Sequence, residues 1–213
     1  MKARALLLAA GLLTLAAVPS AQVGTRPAKE WIATLERPDR VTGLKITEVI
    51  EKLELTKGDV VADLGAGTGL FAWPLARLVA PGTVYAVEVD DEFVAHMTAR
   101  AEEQRLTNVS VVRGKFEDPL LPEKVDLAFF SDVLHHVANR EAYLKTVAGY
   151  LKPAGRIAVI ELDVAHPSSP HRNQPDLQVT KAQLDAWLTA AGLTKVAEPS
   201  LFEDKWFVIY RKR

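Results

Sequence analysis

Cysteine is absent from all 213 residues. That excludes a disulfide framework, a thiol nucleophile, a thiolate-held zinc and a lipid anchor on an N-terminal cysteine. Without a covalent staple the fold depends on its core, and this length suffices for one domain with a full core but not for two ordinary ones. Charge of one sign is also lacking, since 26 Lys and Arg face 27 Asp and Glu for a net −1. No broad field draws such a chain to nucleic acid or anionic lipid. Nor is there a basic stripe or an aromatic platform of the kind that grips nucleic acid, and nucleic-acid partners are not expected. Internal repeats and low-complexity tracts are missing. What remains, 48% hydrophobic and 25% charged residues, is the make-up of a globular domain rather than of a disordered or polytopic chain.

An apolar run long enough to make a stable membrane span is lacking too. Residues 1–21 read MKARALLLAAGLLTLAAVPSA, with Lys2 and Arg4 ahead of an apolar stretch from 5 to 18 and small residues after it. A spanning helix needs roughly 20 apolar residues. The three-part layout is that of a secretory signal peptide, with cleavage after Ser20 or Ala21, and an uncleaved anchor is the alternative. The mature chain is expected to be periplasmic or secreted.

Beyond the leader, strand and helix patterns alternate. Residues 31–55 have the spacing of an amphipathic helix broken near its start by Pro38, and the 22–55 segment is a candidate lid. Short apolar runs at 60–64, 83–88, 109–112, 125–130 and 156–162 predict strands, and 70–79, 91–105 and 140–151 predict helices between them. Such alternation implies α/β architecture: a doubly wound, mostly parallel sheet covered by helices on both faces. Residues 163–178 read as a loop long enough to cover a site. Thr180 and Gln183 have capping-box spacing, so a helix is expected at 181–191, stopped by Gly192. Two last strands, 193–197 and 205–210, complete seven and suggest an antiparallel hairpin at one edge. The four tryptophans, Trp31, Trp73, Trp187 and Trp206, read as packing.

Directly after the first predicted strand comes Val60-Val61-Ala62-Asp63-Leu64-Gly65-Ala66-Gly67-Thr68-Gly69. In open α/β sheets ligands bind beyond the carboxyl ends of strands, where this loop falls. Glycines let the backbone approach a ligand and tolerate positive φ, and the N-terminus of the next helix suits an anionic group. A dinucleotide fingerprint needs glycine where Leu70 stands, and the phosphate-loop tripeptide Gly-Lys-Ser/Thr does not occur. Gly-x-Gly-x-Gly behind Asp63 fits S-adenosylmethionine better, although a glycine triplet by itself also fits a plain tight turn. Glu88 favours the cofactor reading. It ends the second predicted strand about 20 residues on, where a carboxylate accepts from both ribose hydroxyls. Asp90, Asp91 and Glu92 instead suit the start of the next helix.

These residues resemble the class I S-adenosylmethionine-dependent methyltransferases. VADLGAGTG is similar to their first motif, VYAVEVDDEF to the second, VDLAFFSDVLHHV to the fourth-strand motif and LKPAGRIAVIEL to the fifth, over about residues 40–212. The resemblance implies a Rossmann-like methyltransferase domain at 56–213, with Asp63, Gly65 and Gly67 at the methionine end, Glu88 on the ribose and 114–118 at the adenine. Lys115 departs from the Asp common at that place, leaving Phe116, Glu117 and Asp118 as candidate substitutes. The candidate cofactor contacts are therefore Asp63, Gly65, Ala66, Gly67, Gly69, Glu88, Lys115, Phe116 and Ser131. The closest flavour is the small-molecule branch, which includes quinone-biosynthesis and arsenite enzymes; the missing cysteines argue against arsenite.

Methyl transfer is an in-line displacement that needs alignment and a dry site, and a base only when the acceptor loses a proton. Asp132, His135 and His136 follow the fourth predicted strand and are the catalytic candidates. Neighbouring residues on a helix point about 100° apart, so at most one of the two histidines is expected to enter the pocket. His166, His171 and Arg172 could close over substrate from the later loop. Asp132, Glu161 and the histidines lack compact ligand spacing, and no metal is expected. The sequence-level expectation is a methyltransferase for an unidentified small-molecule acceptor, oligomeric state open. Its rivals are a non-catalytic exported domain that keeps the fold and binds a nucleoside-like ligand or a protein, and, on fold analogy alone, an oxidoreductase.

Overall fold

Strands covered on both faces need apolar residues at successive positions, not alternate ones. The central strands here have them. The structure, a computed structural model, describes residues 28–213; the expected export signal at 1–21 lies outside the described residues. Strands β1 (Val61–Leu64), β2 (Val84–Glu88), β3 (Val109–Arg113), β4 (Val125–Ser131), β5 (Leu151–Leu162), β6 (Leu193–Ala197) and β7 (Lys205–Lys212) form one sheet in the order β3-β2-β1-β4-β5-β7-β6. β1 to β5 are parallel, and β7 runs antiparallel to β5 and β6. This is the doubly wound, mostly parallel sheet with a C-terminal edge hairpin that the pattern predicts. Residues 198–204 are too few for a parallel crossover of about a dozen residues, so the chain must reverse between β6 and β7.

The helices are α1 (Ala28–Leu35), α2 (Pro38–Gly43), α3 (Ile46–Leu53), α4 (Ala72–Val79), α5 (Asp91–Glu103), α6 (Arg140–Gly149) and α7 (Lys181–Ala190). Ala62, Leu64, Phe130 and Val159 point to one face, against Leu144 and Val147 of α6 and Leu184 and Leu188 of α7. Val61, Leu127, Phe129 and Ile160 point to the other, against Leu53 of α3, Leu75 and Val79 of α4 and Met97 of α5. Each of these side chains larger than alanine contributes about 1.5–3 kcal/mol by leaving water, and the two layers hold the carboxyl ends of β1, β2 and β4 rigidly side by side. At α7 the capping box forms as expected: Gln183 N–H donates to Thr180 Oγ1, and Thr180 N–H donates to Gln183 Oε1.

Two expectations need correction. The single helix over 31–55 is three short ones, because Pro38 starts a new helix and Lys45 takes a left-handed conformation (φ 47°) between α2 and α3. The turn at Lys152-Pro153-Ala154-Gly155 lies inside β5 rather than before it. Leu151 pairs with Val125 and Arg156 with Leu127, so the residues between bulge outward, with Ala154 at φ 61°.

Candidate active site

β1 lies between β2 and β4, and the chain leaves it toward opposite sides of the sheet, which makes the switch point where α/β sheets bind ligands. A cavity opens there. Asp63 and Leu64 end β1, Glu88 ends β2, Phe130 and Ser131 end β4, and all five line it. The glycine loop folds back over β2, since the N–H groups of Gly65 and Ala66 both donate to Val87 O at 2.9 and 3.0 Å. Gly65 has φ 70°, and a β-carbon there would meet Val133 Cγ2 at 2.2 Å, so only glycine lets the loop pass the segment after β4.

Glu88 is 8% exposed, and burial raises its pKa. Its carboxylate is fixed by Gly67 N–H at 3.1 Å and Val89 N–H at 2.6 Å. Asp63 is 3% exposed; burial first, then the charge of Glu88, pushes its carboxyl up to about 7, against one backbone hydrogen bond from Ala72. Its Oδ2 has no hydrogen-bond partner. Ala66, Gly67, Lys115, Phe116 and Ser131 also line the cavity. Phe116 is half-exposed. Asp118 is spent elsewhere, accepting from Leu120 N–H and Tyr150 O–H. Gly69 is a correction: it does not line the cavity, and its φ of 80° and bare α-carbon serve the Trp73 ring, which a β-carbon would meet at 2.1 Å.

The catalytic candidates separate. Asp132 lines the cavity from a left-handed backbone (φ 53°); Lys205 donates to its Oδ2, and its Oδ1 is buried without a partner. His136 lines the cavity as well, and burial together with neighbouring His135 pushes its pKa down to about 4, so its imidazole is neutral at pH 7. His135 is corrected to a structural role. It is 4% exposed and sits outside the cavity, with its Nδ1 2.7 Å from Glu161 Oε1 while its N–H donates to Glu161 Oε2 at 3.1 Å. Paired with a carboxylate, that Nδ1 carries the proton. Arg140 of α6 braces the same turn by donating to Leu134 O and His135 O.

The long loop does not line the cavity. It packs behind the turn, with the His171 ring 4.9 Å from that of His135 and Asp176 O accepting from Arg140. The wall that sequence reasoning resolved least comes from the N-terminal helices: Trp31, Leu35, Arg40 and Leu44. Trp31 is thus a cavity residue, whereas Trp73 and Trp206 are buried packing. Phe93 of α5 and Tyr143 of α6 carried no sequence signal for the site.

Residues 55–198 match a family model described as a methyltransferase domain. The chain belongs to the methyltransferase domain family. A similar solved structure, a SAM-dependent methyltransferase from Aquifex aeolicus, shares this methyltransferase fold with a TM-score of 0.78 at 21% identity, over 89% of this chain and 100% of that one. A ubiquinone/menaquinone biosynthesis C-methyltransferase from Pasteurella multocida is 31% identical over 49% of this chain and 40% of its own length. Protein arginine N-methyltransferase 2 from Mus musculus is 36% identical over 37% and 18%. The chain spans less than half the length of these curated relatives. The methyltransferase domain's cofactor is S-adenosylmethionine, and the residues fit it. Gly65, Ala66 and Gly67 line the cavity, Glu88 presents a fixed carboxylate, and Asp63 has an unanswered oxygen suited to a positive group.

Proposed function

We propose that the chain is an exported S-adenosylmethionine-dependent methyltransferase acting on a small-molecule acceptor. The observation that carries the reading is Glu88, a buried carboxylate on the cavity wall held in place by the N–H of Gly67 in the glycine loop. An acid at the end of the second strand, clamped to that loop, suits a ribose diol. A largely apolar wall that includes Trp31, Leu35 and Phe93 suits a small organic acceptor.

Bound S-adenosylmethionine supplies a methyl group made transferable by its positively charged sulfur. The protein's share is to align the partners and keep water away, which the N-terminal wall of Trp31, Leu35 and Leu44 serves. His136, neutral at pH 7, offers a lone pair to an acceptor that must lose a proton. Asp132, with one oxygen tied to Lys205, has Oδ1 left to orient the acceptor.

Isothermal titration of the full chain with S-adenosylmethionine and S-adenosylhomocysteine tests the reading. Micromolar binding is expected. Glu88→Ala should weaken it about 10- to 150-fold, the 1.5–3 kcal/mol of hydrogen bonds to a charged group. Binding of neither ligand would overturn the proposal. Export is tested separately by N-terminal sequencing of the exported protein, where an intact Met1 overturns cleavage.

A further inference from the structure

A buried carboxylate is costly unless a cation or a set of donors answers it. Two lie together beside this cavity, at the ends of the neighbouring strands β1 and β2. Glu88 is answered by backbone N–H groups, whereas Asp63 has one backbone donor and an Oδ2 with none. The other charged or titratable groups lining the cavity are Arg40 of α2, Lys115 after β3, Asp132 and His136 after β4 and Tyr143 of α6. Among the described residues none forms an ion pair with Asp63 or Glu88; Arg40 donates to Leu35 O and its charge acts on Asp132. Burial and Glu88 hold the Asp63 carboxyl at about 7, so in the ligand-free cavity it is protonated for part of the time at neutral pH.

We propose that Asp63 releases a proton when the positively charged methyl donor enters and regains one when methyl transfer leaves neutral sulfur, so that the cavity discriminates donor from product by charge. The inference rests on the methyltransferase reading of the cavity. In the step, the sulfur–methyl bond breaks with its electron pair left on sulfur, a bond from the acceptor's lone pair to the methyl forms, and solvent returns the proton to the Asp63 carboxylate. Asp63 thereby sets donor-over-product preference without touching the acceptor.

The consequence is measurable without turnover. The donor and S-adenosylhomocysteine share ammonium, carboxylate and nucleoside groups, so those groups' own titrations cancel in the ratio of the two dissociation constants. With a midpoint near 7, protonation of Asp63 weakens donor binding by at most about tenfold between pH 8 and pH 6. The product, lacking the sulfonium, loses less.

The experiment is titration calorimetry of the full chain with both ligands at pH 6, 7 and 8, repeated at pH 7 in two buffers of different ionisation enthalpy. The product-to-donor ratio should rise severalfold from pH 6 to pH 8, with the donor releasing more protons than the product. Asp63→Asn should flatten the ratio and abolish the difference in proton release; if that variant does not fold, the buffer dependence of the unaltered chain decides. Binding of both ligands with a pH-independent ratio and equal proton release would overturn the exchange and leave the methyltransferase reading standing. Binding of neither would overturn both.

Discussion

Two glycines with positive φ separate backbone strain from steric clash, and the comparison tests how the glycine loop is held. A β-carbon at Gly58 (φ 92°) would meet nothing within 4 Å, whereas at Gly65 (φ 70°) it would lie 2.2 Å from Val133 Cγ2 and 3.0 Å from Val133 Cβ. Alanine at either site is forced into a conformation that costs an L-residue about 1–2 kcal/mol. At Gly65 the crowding adds the roughly 1–3 kcal/mol of an overpacked site. Gly58→Ala should therefore lose about 1–2 kcal/mol of stability and Gly65→Ala about 2–5 kcal/mol, read from urea denaturation of the full chain. Because the colliding atoms belong to Val133, the combination with Val133→Ala should be less destabilising than the sum of the single changes by about 1–3 kcal/mol. Gly65 and Val133 both line the cavity and Gly58 does not, so Gly65→Ala should also weaken donor binding while Gly58→Ala should not. Equal losses at the two glycines, or strict additivity with Val133→Ala, would refute the close-approach argument.

Glu161 accepts His135 Nδ1–H, His135 N–H and Leu162 N–H at 2.7, 3.1 and 2.8 Å while 1% exposed. Glu161→Ala leaves those donors buried and unpaired, which costs about 3–5 kcal/mol, or a fall in Tm of about 6–20 °C for a chain this size. A calorimetric shift below about 3 °C would contradict the buried-pair account. Asp63 should also imprint a pH dependence on stability. Its folded pKa of about 7 lies above the unfolded 3.8, so the folded state holds more protons between those values and stability is lost as pH rises through 7. From pH 5 to pH 8 the ligand-free chain should lose on the order of 3 kcal/mol relative to Asp63→Asn. Denaturation midpoints that diverge the other way would show that Asp63 is not buried as a neutral acid.

Features with local causes were legible in the sequence. The strands announce themselves because both faces are buried and Gly or Pro marks their ends, and α7 because Thr180 and Gln183 cap it within one turn. That Asp63, Gly65, Gly67 and Glu88 lie at strand ends and the loop beside them was legible for the same reason, since a strand end and its loop are one continuous piece of chain. What escaped depends on distant contacts. Lys45 breaks the N-terminal helix while its Nζ donates to Leu201 O and lies 5.7 Å from the centre of the Phe202 ring, a tie across the whole chain with no local signature. Periodicity could not say which of His135 and His136 enters the cavity, because Glu161 on β5 takes His135. Gly69 looked like a ligand glycine because the motif repeats, but the ring of Trp73 requires it.

The charges around the cavity divide into two kinds, and the division bears on the rate of transfer. After β4, Asp132 is tied to Lys205, His135 is paired with Glu161, and His136 is neutral. At the ends of β1 and β2, Asp63 and Glu88 form no ion pair among the described residues, although Arg40 and Lys115 line the same cavity. A fixed pair of anions would hold a positively charged donor most strongly before reaction, and less as positive charge leaves the sulfur. Binding that favours the ground state over the transition state lowers KM without raising kcat. A carboxyl that readily takes a proton limits this penalty, because the charge that attracts the donor is removed when the sulfur becomes neutral. On this argument Asp63→Asn should weaken donor binding more than it slows the bound complex.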